Sequence, residues 1–149
     1  MFARGSENGY NSVKMRVLAL SERIGQIAVL EFEKEAVKRG FIVSYPSVSA
    51  TRYDAVLDYC NGKSPIRVQI KHGGNLSDAG SIKLNLRRRK KNYTSKQIDL
   101  IVVFIPFDYN KLVALPPHLF NNKNSLIIRF DKSMRYDKTP AILADNYLF

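Results

Sequence analysis

The chain of 149 residues carries 24 Lys and Arg against 13 Asp and Glu, a formal charge of +11, and is 45% hydrophobic. That length suits one domain with a real core, and the composition excludes global disorder. One cysteine, Cys60, excludes an intrachain disulfide framework and a cysteine zinc cluster. No apolar run approaches the roughly 18 residues of a membrane span, and no apolar block of a signal peptide stands at the start. A cytoplasmic chain with a polyanionic partner, and neither a membrane nor a small-molecule substrate, is expected.

Residues 1–14 are rich in Gly, Ser and Asn without periodicity, so they predict a mobile arm ahead of a single domain over 15–149. From Val17 to Arg39 the spacing is helical, with Ile27, Leu30, Ala36 and Val37 as the expected apolar stripe. Lys38-Arg39 then Gly40 make a helix stop. Phe41–Tyr45 predicts a strand ended by Pro46, and a loop follows from Ser47 to Arg52.

Tyr53–Tyr59 and Ile66–Lys71 read as two strands of a hairpin whose connection holds Asn61-Gly62. Ser81–Arg87 alternates, with Ile82, Leu84 and Leu86 on one face and Ser81, Lys83, Asn85 and Arg87 on the other. Leu100–Ile105 is continuously apolar, as a buried central strand should be. Lys111–Leu115 and Leu126–Phe130 predict further strands, broken by Pro116-Pro117. Beyond Asp131 periodicity is weak, though Tyr147-Leu148-Phe149 should pack somewhere, on this or another subunit. The order points to an α+β or α/β fold, a mixed central sheet with flanking helices.

Chemistry concentrates between Asp54 and Lys71. Pairing the two strands brings Asp54 to Gln69 and Lys71, which share a face because they lie two apart. A carboxylate, an amide oxygen and an ammonium would meet at one sheet edge. Hard Mg²⁺ favours oxygen ligands, here Asp54, Gln69 and the Ile70 carbonyl, with Mn²⁺ or Ca²⁺ as substitutes in binding. Lys71 could deprotonate or orient an attacking water, or neutralise developing charge.

Tyr53-Asp54, a spacer and Gln69-Ile70-Lys71 resemble the PD-(D/E)XK nuclease superfamily, in its Gln-x-Lys variant. The helix bearing Arg23-Ile24-Gly25-Gln26 and the strand to Pro46 extend the likeness over about Ser21 to Ile105. Small size and the Gln-x-Lys motif make the chain most similar to bacterial group I intron-encoded homing endonucleases. The resemblance implies a restriction-endonuclease-like core and Mg²⁺-dependent, site-specific cutting of double-stranded DNA in a bacterial cytoplasm, near the nucleoid. A junction resolvase, or a DNA-binding module of the same fold without catalysis, are the alternatives. The family normally has Glu where Gln26 stands, so Gln26 joins the expected catalytic set as a departure; Glu31 or Glu33 filling that position, or a site inactivated at Gln26, are the alternatives. His72 and Cys60 are expected to be a surface histidine and an inert thiol.

Arg87-Arg88-Arg89-Lys90-Lys91 is an unbroken cationic run, with Lys96 beyond. After the polar strand face of Ser81, Lys83, Asn85 and Arg87 it fits a β-ribbon reading the major groove, with cations on phosphates. Thr51 and Arg52 beside Asp54 are further DNA-contact candidates, as is Tyr93, which resembles an aromatic after the family's basic segment. One protomer offers few base contacts. A homodimer or homotetramer is therefore expected, with the Lys111–Leu115 and Leu126–Phe130 strands and the tail as candidate surfaces.

Overall fold

In the computed structural model, residues 19–74, 80–106, 109–130 and 141–149 are described. The expected arm, 1–14, and residues 131–140 of the tail lie outside them. Helix α1 spans Leu20–Lys38. At its start Glu22 accepts a bond from the Ala19 N–H, placing a carboxylate at the positive end of the helix dipole. At its end Gly40 takes φ +85° while the Phe41 N–H returns to the Ala36 carbonyl, the glycine stop read from sequence.

The buried row of α1 is Ala28, Phe32 and Ala36, whereas Ile27, Leu30 and Val37 are exposed. This corrects the expected stripe. Two apolar rows wind along this helix, and the one with small residues four before and four after a phenylalanine lets it approach the sheet. Ala28, Phe32 and Ala36 meet Ala55, Leu57, Val68, Ile70, Val102 and Phe104 there.

Strands β1 (Ile42–Ser44), β2 (Ala55–Asp58), β3 (Ile66–His72), β4 (Ser81–Asn85), β5 (Arg87–Arg88) and β6 (Lys91–Asn92) follow. Then come β7 (Leu100–Ile105), β8 (Lys111–Leu115), α2 (Pro117–Phe120), β9 (Ser125–Arg129), β10 (Ala141–Leu143) and a 3₁₀ turn over Ala144–Tyr147. The main sheet has the order β1-β2-β3-β7-β8. It is mixed, because β3 and β7 run parallel while the other pairs are antiparallel. A second sheet, β10-β9-β4, covers the face of the first that α1 leaves open. The layers are therefore helix, sheet and sheet, with a core on each side of the central layer.

Gly73, just past β3, sits where the two sheets close. A Cβ there would stand 2.7 Å from the Ile82 Cδ1 and 3.1 Å from the Ile105 Cδ1. Only glycine admits this approach without displacing both isoleucines.

The tail and the two late strands partner one another within the chain. Leu148 bridges Val113 on β8, the Phe149 N–H donates to the Leu112 carbonyl, and the Phe149 ring stacks on Phe32. The chain's own end thus satisfies backbone groups along the free edge of β8. β9, the other candidate oligomer strand, is the middle strand of its sheet. Among the described residues no helix is long and apolar enough to cross a membrane.

Candidate active site

The β2–β3 register, Ala55 opposite Val68, sets Asp54 opposite Gln69. Strand alternation then splits β3 between the two cores. Val68 and Ile70 face α1, whereas Gln69 and Lys71 face the second sheet, each beside a β7 residue of that core, Ile101 and Val103. The cluster was expected at a sheet edge. It lies instead on the middle strand of five, because β7 pairs in parallel on the far side of β3.

Asp54 is anchored by its own N–H, which donates to the Val68 carbonyl at 2.8 Å. Its Oδ2 accepts from the Gln69 Nε2 at 2.6 Å and from the Ile70 N–H at 2.9 Å. The same Nε2 lies 3.2 Å from the Ile70 carbonyl oxygen. One amide nitrogen therefore bridges the two oxygens named as metal ligands, while the buried Gln69 Oε1 has no partner. Turning the amide over would give its oxygen to the same place and bring three hard oxygen donors together. The residues present fit a divalent cation in that way. They do not form an acidic cage: among the described residues, no three or more His, Cys, Asp or Glu side chains gather.

Burial pushes the Asp54 carboxyl above its ordinary value, opposed by the Ile70 N–H and by the charges of Arg88 and Lys71. Burial likewise lowers the Lys71 ammonium; Asp54 opposes the shift, and Arg52 and Arg88 add to it. The Lys71 Nζ rests 5.1 Å from the centroid of the Tyr93 ring.

Several expected DNA contacts turn inward. Tyr93 is 1% exposed, in the core between the sheets, and its ring meets two cations of this chain. Arg52 is half-buried and donates to the carbonyls of Arg88, Lys91 and Asn92 and to Gln97. Arg88, also half-buried, donates to the Thr51 and Ser49 carbonyls, and the Thr51 hydroxyl to the Tyr53 carbonyl. A guanidinium can donate to a backbone carbonyl as well as to a phosphate, and sequence does not tell the two apart.

Lys83, Asn85, Arg87, Arg89, Lys90, Lys91 and Lys96 are exposed, while Ser81 is half-buried. Lys83, Asn85 and Arg87 line an open groove with Asn124 and Ser125. The basic run folds into the tight β5–β6 hairpin, whose two turn residues, Arg89 and Lys90, have φ of 50° and 64°. A second groove, lined by Tyr45, Ser47, Ser49, Tyr53, Asp54 and Arg88 among others, leads to the Asp54 cluster.

Gln26 is exposed on α1, across β3 from Gln69 and Lys71, and hydrogen-bonds to none of the cluster. Its neighbour Gly25 abuts His72, which is half-buried with an unpartnered Nδ1 and is not the surface histidine expected. Sequence reading missed the Arg67–Asp99 pair, a two-pronged bridge at 2.9 Å on each arm that ties the start of β3 to the residue before β7. Its signal was faint, since opposite charges 32 positions apart are common.

A family model described as PD-(D/E)XK endonuclease matches residues 20–149. Among solved structures, the bacterial homing endonuclease I-Ssp6803I is similar with a TM-score of 0.68 at 20% identity, covering 87% of this chain and 89% of that one. The Holliday junction resolvase Hjc of Archaeoglobus fulgidus aligns with a TM-score of 0.46 at 13% identity, over 74% of this chain and 85% of its own. No curated protein matches.

Proposed function

Because the chain belongs to the PD-(D/E)XK endonuclease family, we propose that it cuts double-stranded DNA at a defined site, with Asp54, Gln69 and Lys71 at the centre. The observation that carries this is the convergence of the Asp54 Oδ2, the Gln69 amide and the Ile70 carbonyl, with Lys71 next on the same strand face. Mg²⁺ held by those three oxygens would supply Lewis-acid charge at the scissile phosphate.

Asp54 holds Gln69 in place and contributes the negative charge. Lys71, whose burial makes the neutral amine easier to reach than in a solvated lysine, accepts the proton of the attacking water. The water oxygen bonds to phosphorus, the P–O bond to the leaving sugar oxygen breaks, and solvent protonates that oxygen. The groove from Tyr45 to Asp54 is the path by which the scissile strand reaches the centre. Lys83, Asn85 and Arg87 read base edges, and Arg89, Lys90, Lys91 and Lys96 hold phosphates. The fold shared with a homing endonuclease supports recognition of a long site, and two or four copies would supply its half-sites.

The test is cleavage of a randomised linear-duplex library and of a four-way junction, with Mg²⁺ or EDTA. Duplex cutting at one sequence, Mg²⁺-dependent and reduced on the order of 100-fold or more by Asp54→Ala and by Lys71→Ala, is expected. Cutting confined to the junction would replace site reading by structure selection, and cutting indifferent to both substitutions would remove the catalytic assignment.

A further inference from the structure

The side chains between the Asp54 cluster and the basic hairpin form a second layer. Tyr93 presents its ring to two cations, with the Arg52 guanidinium 4.6 Å and the Lys71 ammonium 5.1 Å from its centroid. Arg52 is anchored independently by the three hairpin carbonyls and Gln97. Arg88 reaches from the hairpin to the Thr51 and Ser49 carbonyls, so the hairpin and the segment leading to Asp54 are tied in both directions.

Lys71 thus lies half-buried near two guanidinium charges that repel it, with Asp54 and the electron-rich face of Tyr93 drawing it inward. The Tyr93 backbone is fixed between the Leu86 carbonyl and the Asn122 N–H, so the ring is a rigid seat. We infer that Tyr93 and Arg52 are positioning residues: the ring seats the Lys71 ammonium, and the guanidinium locks that seat to the β5–β6 hairpin. Grip on phosphates at the hairpin and alignment of Lys71 are then one mechanical unit. This rests on the assignment of Lys71 above.

The experiment replaces Tyr93 by phenylalanine and by mono-, di- and trifluorophenylalanine, which weaken the ring face with little change of shape. Lys71 is followed by ¹³Cε–¹Hε correlation without DNA or metal, and cleavage is followed as kcat and KM. Tyr93→Phe should retain both the ring-current-shifted Lys71 signal and kcat. On the alkaline plateau of the kcat–pH profile, where Lys71 starts neutral and becomes the ammonium that the ring face stabilises, the fluorinated series should lower kcat stepwise, by roughly tenfold at the end, with KM unchanged. Arg52→Gln should lower kcat and weaken DNA binding together, and a change in one of the two without the other would overturn the coupling. A Lys71 signal without ring-current shift overturns the seat even if the chain cuts DNA. Normal cutting by Lys71→Ala overturns the functional assignment instead, and kcat constant across the fluorinated series overturns the positioning role.

Discussion

Gln69→Glu tests the metal-holding arrangement most directly. Gln69 is 7% exposed, and its Nε2 donates to two oxygens at 2.6 and 3.2 Å. A carboxylate of the same length puts an oxygen where the donor was, against the Asp54 Oδ2. The two acids can then coexist only by sharing a proton or by binding a cation. Losing the donor takes one partner from the Ile70 carbonyl and leaves the Asp54 Oδ2 with the Ile70 N–H alone, so the variant in EDTA should lose roughly 1–3 kcal/mol. For a domain of this size that is a fall in Tm of roughly 2–12 °C. The added charge should tighten Mg²⁺, and a free concentration about 100 times Kd returns about 2.7 kcal/mol. Calorimetric melts of both proteins in EDTA and in Mg²⁺ read this out. The reasoning fails if the variant melts with the wild type in EDTA, or if Mg²⁺ raises its Tm no more than it raises that of the wild type.

Because burial raises Asp54, its ionised form opposes folding: the relative stability is full below the unfolded carboxyl's pKa and is lost as pH rises through the folded one. Asp54→Asn keeps an acceptor for the Ile70 N–H, so it should raise Tm at pH 7 while ending cleavage, with the gap closing near pH 3; a lower Tm at pH 7 would contradict this. Arg89→Asn with Lys90→Gly relieves two positive-φ residues and should stabilise the hairpin by about 1–2 kcal/mol. The same pair should flatten the log–log salt dependence of DNA binding by about 2, and an unchanged slope would take the hairpin off the phosphates. Gln26→Glu, at an exposed position, should leave Tm unchanged while tightening Mg²⁺ through an added negative charge near the end of β3, measured by titration calorimetry. Phe32→Ala removes a fully buried ring stacked on Phe149 and should cost about 3–5 kcal/mol by urea unfolding.

Local pattern was enough for much of this protein. The alternation of Ser81–Arg87, the apolar run at Leu100–Ile105 and the glycine stop after Lys38-Arg39 each state their environment within a few residues, and the structure agrees. The Asp54, Gln69, Lys71 grouping was legible too, because a hairpin fixes which residues oppose each other once its strands are known. Period alone could not choose between the two apolar rows of α1, since either satisfies helical spacing and only the shape of the facing sheet selects Ala28, Phe32 and Ala36.

Charge was the least legible property. The excess of +11 marks a polyanion partner without saying which cations face it. A guanidinium can bond a carbonyl of its own chain or a phosphate, and which it meets depends on loops joined only in three dimensions. Sequence determined the strands other than β5, β6 and β10, the grouping of Asp54, Gln69 and Lys71, and the sign of the net charge. The tertiary structure decided that β3 is central, that the tail covers β8, and that Arg52, Arg88 and Tyr93 face inward, because each is a contact between segments far apart in the chain.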